Sequence, residues 1–175
     1  MRRLHIAGTV LLVGVISADA VGQTATSISA GPTLLFGSAS EWAGRGYHVQ
    51  VSEEFGHLGP TVFRADALYS QRPGNGVTRS PITERTYALA GSAVFRAHSI
   101  SFVTPYVTAG VGLYGDNSWS SYAPGFNGGL GVDINAGFAR LFAESRIHQY
   151  WRDARFSPRS GRGVTLAPIS IGVRF

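Results

Sequence analysis

Glu144, Arg146, His148 and Tyr150 occupy alternate positions in the stretch Glu144-Ser-Arg-Ile-His-Gln-Tyr150. In an extended chain alternate residues share one face, so a carboxylate, a guanidinium, an imidazole and a phenol would stand in one line. Such a line could move protons or activate a nearby hydroxyl. Other charges are spaced in the same way among apolar and small residues: Glu54, Arg64, Asp66, Arg96, Asp133, Arg140 and Arg174. A charge buried alone is very costly, so the simpler expectation is that these groups pair with one another inside an enclosed space. A second concentration lies in Arg152-Asp-Ala-Arg-Phe-Ser-Pro-Arg-Ser-Gly-Arg162, where Arg152, Arg155, Arg159 and Arg162 face a single Asp. Arginine forks fit phosphate, which points to an anionic contact; a merely solvated loop is the blander reading.

Other chemistries find no footing. There is no Cys, which excludes disulfides and thiol catalysis. The five histidines, His5, His48, His57, His98 and His148, show no H-x-x-x-H spacing, and no G-x-S-x-G elbow is present. Neither a metal nor a cofactor is expected. The formal charge of +5 comes with fifteen Arg and no Lys. These arginines form no stripe and stand beside no aromatic platform, so nucleic acid is not an expected partner.

The elements that must position these groups follow from a period of two. In Val103–Tyr114, Val103, Pro105, Val107, Ala109, Val111 and Leu113 alternate with Thr104, Tyr106, Thr108, Gly110, Gly112 and Tyr114. Seven further segments alternate in the same manner, giving eight strands of about ten to twelve residues, near the ~9–11 that a tilted strand needs to cross hydrocarbon. Short connections at His57–Pro60, 97–101 and 136–139 alternate with longer polar ones at 38–44, 73–84, 115–125 and 152–162. Short turns on one side and long loops on the other are the plan of an up-and-down barrel in an outer membrane. The apolar face is then expected outside and the small, polar face inside. Glu53 breaks the pattern by facing outward, close to a short turn. Pro168 is the least comfortable of the strand prolines, since it removes a ladder donor. A secreted calyx with the reverse polarity, holding Val107, Val111, Leu130 and Ile171 inside, is the competing architecture.

Met1-Arg-Arg3, an apolar run from about Ile6 to Ile16 and Ala18-Asp-Ala20 describe a secretory signal peptide. Residues 1–20 are expected to be removed, with a cut after Ala25 as the alternative, leaving 26–175 as one barrel domain. Loss of Arg2, Arg3 and Asp19 takes the fifteen basic and ten acidic residues to thirteen and nine.

The segments Pro105-Tyr-Val-Thr-Ala-Gly-Val-Gly-Leu-Tyr114, Gly128-Gly-Leu-Gly-Val-Asp133, Leu141-Phe-Ala-Glu-Ser-Arg146 and Pro168-Ile-Ser-Ile-Gly-Val-Arg-Phe175 resemble the small outer-membrane β-barrel family, the group of the OmpA transmembrane domain and OmpX-like proteins. The resemblance implies an all-β, eight-stranded antiparallel transmembrane barrel in a Gram-negative-type outer membrane, with lipid and lipopolysaccharide around it. It implies a terminal signature read by the barrel-insertion machinery, matched here by Ile169, Ile171, Val173 and Phe175. It implies no single activity. The reading it supports is a monomer with a packed polar lumen and no open pore, structural or adhesive through its outer loops and any extracellular ligand they meet. Some barrels of this kind modify lipid A as acyl hydrolases or transferases, using a His and a Ser. That deacylase pattern has Ser two residues after the His, where this chain has Tyr150, so the enzymatic alternative lacks its nucleophile.

Overall fold

In the computed structural model the described residues are 25–36, 45–72, 83–115, 122–137, 139–151 and 163–175. They form β1 (Ala25–Phe36), β2 (Gly46–Leu58), β3 (Thr61–Arg72), β4 (Glu84–Arg96), β5 (Val103–Gly115), β6 (Tyr122–Asn135), β7 (Arg140–Trp151) and β8 (Gly163–Arg174). Each strand pairs antiparallel with the next, and β8 returns to β1, closing the barrel. The seam is tight at its end: Thr26 and Phe175 exchange two backbone hydrogen bonds of 2.9 Å each. Closure leaves no sheet edge, the condition for a β-structure in a solvent that hydrogen-bonds nothing.

Polarity decides inside from outside. Val111, Leu130 and Ile171 are 69%, 67% and 72% exposed, and Val107 is also exposed. The buried set is instead rich in Ser, Thr, Asp, Glu and Arg. The calyx is thereby overturned: the apolar stripe faces outward, where only lipid tails satisfy so much unbroken hydrocarbon surface.

The strand boundaries depart from expectation at two places. β6 begins at Tyr122, four residues before Phe126, because Leu113 pairs Pro124, Tyr114 pairs Ala123 and Gly115 pairs Tyr122. Pro124 reads as a loop residue in the sequence, yet it sits on the exposed face at a strand end, where a missing N–H is tolerated. β2 runs on through His57 and Leu58, so the turn shrinks to Gly59-Pro60. A register shift between Phe55 and His57 falls on Gly56, whose φ of +59° only glycine adopts freely. Pro168 faces inward and is fully buried. Around it the ladder to β7 skips Arg146 and Ile147, and the ladder to β1 skips Gly31 and Pro32, so the lost donor interrupts pairing only locally.

Candidate functional site

The lumen holds nearly all of the chemistry in the described residues, and it is layered along the barrel axis. Toward the short-turn end, Arg96 donates to Glu54 at 2.6 Å and to Asp133 at 3.1 Å. Arg174 holds both oxygens of Asp133, at 2.6 and 2.7 Å, and lies 3.3 Å from Glu54. The Tyr106 ring lies against both cations, at 5.9 and 5.8 Å, and the Phe142 ring lies 5.0 Å from Arg174. Two cations and two anions make this layer neutral.

The middle layer repeats the arrangement. Arg64 grips Glu144 with two bonds, 3.0 and 3.1 Å, while its Nε lies 3.0 Å from Asp66. Arg146 donates to the other Asp66 oxygen at 2.8 Å, to Ser92 at 2.7 Å and to the Asn127 carbonyl. Ser92 and Gln50 both donate to Asp66, at 3.1 and 3.0 Å. Space for these bulky groups comes from inward glycines opposite them. A methyl at Gly131 would strike the Tyr106 ring, and one at Gly129 would meet the Arg146 stem at 2.6 Å.

Nearer the outer end two histidines take over. His48 contacts Ser170 at 2.8 Å through Nε2 and Thr33 at 3.1 Å through Nδ1. His148 contacts the Tyr114 hydroxyl at 2.9 Å, and Tyr114 stacks on Tyr150 with centroids 4.7 Å apart. These tyrosines belong to an apolar layer with Leu68, Ala88, Ala123, Val164 and Leu166.

The structure therefore gathers eight of the nine expected lumen charges into two neutral quartets: Glu54, Arg96, Asp133 and Arg174, and Arg64, Asp66, Glu144 and Arg146. Arg140 is the exception. It has the inward position in the alternation, but as the first residue of β7 it lies at the short-turn rim and is exposed. Glu53 faces outward and accepts a 2.6 Å hydrogen bond from Thr26 on β1. Ile169, Ile171 and Val173 on β8, with Phe175 just after it, form an outward row. Arg152, Arg155, Arg159 and Arg162, the expected signal peptide, Trp42, Trp119 and the serines of the longer connections lie outside the described residues.

The line Glu144, Arg146, His148, Tyr150 does share one face, but its members serve different layers. Glu144 is held by Arg64, and His148 by Tyr114, both deep inside the barrel. A lipid substrate approaching from the membrane meets Ser145 and Ile147 instead. The His48–Ser170 contact was not visible in the sequence, because its partners are 122 residues apart. The only signal available was that both occupy inward positions of their strands. On the lipid-facing side an open apolar groove of about 710 Å³ runs past Phe95, Val107, Leu130, Val132 and Ile169. Among the described residues no group of His, Asp and Glu could hold a metal ion.

Comparison with solved structures places this architecture. The crystal structure of Neisserial surface protein A (NspA) superposes with a TM-score of 0.65 at 18% identity, covering 86% of this chain and 95% of that one. The outer-membrane enzyme PagL gives 0.51 at 13% identity, covering 87% and 99%. No protein-family model and no curated protein matches the sequence. At such identities the likeness speaks for the fold. The chain has the eight-stranded architecture of the small outer-membrane barrels, with the lipid-facing belt that this location requires.

Proposed function

We propose that the protein is a non-conducting outer-membrane scaffold whose role, structural or adhesive, is exerted by the four longer connections at its outer end. The observation that carries this reading is the filled lumen. Two neutral quartets and an apolar, aromatic layer occupy successive levels, and each charge has a partner of opposite sign. An eight-stranded barrel is just wide enough for its own side chains, so such filling leaves no continuous water path. On this reading Arg152, Arg155, Arg159 and Arg162 make the anionic contacts of the last connection. The leader directs export before cleavage after Ala20 or Ala25, and Ile169 to Phe175 serve the insertion machinery.

The test is electrical. Reconstituted in planar phosphatidylcholine bilayers, the protein is expected to show no steady conductance steps. Stable ohmic steps from the unaltered chain would overturn the proposal. The combined change Arg64→Ala, Asp66→Ala, Glu144→Ala and Arg146→Ala removes the middle quartet without altering net charge, and is expected to produce such steps.

A further inference from the structure

The apolar layer near the outer end is not a full ring. It draws one or two residues from each of β3 to β8 and none from β1 or β2. Where it would close across those two strands stand Thr33 and His48, both fully buried. The lumen therefore has two kinds of wall. Among the described residues every buried side chain of β1 and β2 is polar, from Ser27 to Thr33 and from His48 to Glu54. In contrast, β4 and β5 bury Ala88, Ala90, Val94, Tyr106 and Tyr114 along with their polar groups.

The polar side carries a hydrogen-bonded line past the apolar layer. Ser70 on β3 donates to the Thr33 hydroxyl at 3.4 Å. Thr33 contacts His48 Nδ1 at 3.1 Å, and His48 Nε2 contacts Ser170 Oγ at 2.8 Å. With Ser70 donating, Thr33 can donate on to Nδ1, which leaves the ring proton on Nε2, toward Ser170. The line begins two residues from the outer end of β3, where Ser70 pairs with Thr86 across the ladder. It ends directly opposite Glu144 in the β7–β8 ladder, at the middle quartet. Such cross-strand neighbours have Cβ atoms about 5 Å apart. Farther down, Tyr106 stands between the two quartets. Its hydroxyl is buried without a hydrogen-bond partner among the described residues, and the charges acting on it are Glu144 and Arg64 of one quartet and Arg174 and Asp133 of the other. The lower quartet ends at Arg96, which is partly exposed at the short-turn end.

We propose that this side of the lumen relays protons, with His48 carrying them past the apolar layer of a barrel closed to every larger ion. A proton reaching Ser70 is matched step by step. Ser70 passes its own proton to Thr33, Thr33 passes one to Nδ1, Nε2 releases one to Ser170, and Ser170 passes one to Glu144. The Tyr106 hydroxyl leads from there toward Asp133 in the lower quartet. One proton enters and one leaves, and only O–H and N–H bonds are made or broken. Rotation of the hydroxyls and exchange of the ring proton reset the line. An imidazole suits the central place because it accepts at one nitrogen while it releases at the other. Potassium cannot follow, because the line consists of side chains in hydrogen-bond contact and not of an open bore. The inference rests on the filled lumen of the proposed scaffold.

The test uses the full mature chain in phosphatidylcholine vesicles loaded with the pH dye pyranine. A pH step is applied outside, with valinomycin and equal potassium on both sides to hold the membrane potential at zero. Proton entry is expected to exceed that of protein-free vesicles and to rise with the number of barrels per vesicle, while the dye stays inside. Entry equal to that of protein-free vesicles overturns the inference, and so does loss of dye in step with proton entry. His48→Gln keeps a side chain that hydrogen-bonds at both ends but cannot relay. It is expected to slow protein-dependent entry about a hundredfold, the lower end of what a positioned proton-transfer group supplies. An unchanged rate in a variant that keeps its heat-modifiable gel migration overturns the route through His48. Comparing the unaltered chain with protein-free vesicles needs no variant to fold. Absence of proton entry through a barrel that is silent to potassium removes this inference alone, whereas steady potassium steps remove the scaffold reading beneath it.

Discussion

Leu166 and Arg64 are both sealed inside the same barrel, at 0% and 1% exposure, yet they are held there by different physics. Leu166 sits in the outer layer among Leu68, Ala88, Val164 and the stacked pair Tyr114 and Tyr150. It asks of its neighbours only that they fit. Arg64 sits in the middle quartet and requires two carboxylates, Asp66 and Glu144, to be present and correctly placed. The outer layer is a packed core turned into a plug. The quartets are locks whose parts cannot be removed one at a time, because each removal leaves three charges out of balance in a water-poor space.

That difference predicts that the largest loss comes from breaking a quartet unevenly. Arg64→Ala leaves Glu144 without its bidentate partner and with Arg146 only at 3.6 Å, and leaves Arg146 as the single cation for both carboxylates. The expected cost is about 3–5 kcal/mol, the range for an uncompensated buried charge. Urea titration of the barrel in lipid vesicles, read by tryptophan fluorescence and by heat-modifiable migration, measures it. Arg64→Met combined with Glu144→Leu removes one charge of each sign and leaves Asp66 with Arg146. It is expected to recover most of the loss. A single variant as stable as the unaltered chain would mean that the quartets do not lock the lumen.

This contrast also shows what a sequence of this kind encodes. Strict alternation told which residues face inward, as in β5, where Tyr106, Thr108 and Tyr114 are buried while Val111 and Leu113 are exposed. The uneven connection lengths gave the order and direction of the strands. Depth within the lumen was not legible. A period of two carries no information about height, so Arg140 read as inward although it lies at the rim. Partner choice was hidden for a related reason. Arg64 and Glu144 are 80 residues apart and meet through the stagger of the closed sheet, which no local pattern records. The same holds for His48 and Ser170. The start of β6 was hidden too: Tyr122–Gly125 read as part of a long polar connection, yet these residues pair with the end of β5, and Pro124 is tolerated there because it lies at a strand end.

The outer layer is expected to fail in a graded way. Leu166→Ala removes three carbons from a fully enclosed site flanked by Val164 and Pro168, and costs about 3 kcal/mol through lost transfer energy and the cavity left behind. Leu166→Met, which nearly conserves volume, is expected to cost less than about 1.5 kcal/mol. The same urea titration resolves the two. Equal losses from both substitutions would show that shape does not govern this layer, and the distinction from the quartets would lapse.

A smaller loss than that of either Arg64→Ala or Leu166→Ala is expected where the two regimes meet. Tyr114 presents its ring to Tyr150 in the apolar layer and its hydroxyl to His148 Nδ1 beneath, so it belongs to both. Tyr114→Phe keeps the stacked ring and deletes only the hydroxyl. Loss of one neutral hydrogen bond is worth about 1 kcal/mol, rising toward 3 if the imidazole is left wholly unsatisfied. Among the described residues His148 Nε2 already lacks a protein partner, so the ring would lose its last one. The expected loss therefore exceeds the lower figure but stays below that of Arg64→Ala, since no net charge is stranded. A double change, Tyr114→Phe with His148→Phe, separates the two contributions. Recovery of stability in the double variant assigns the loss to the orphaned imidazole, whereas an additive loss assigns it to ring packing and moves Tyr114 wholly into the outer layer.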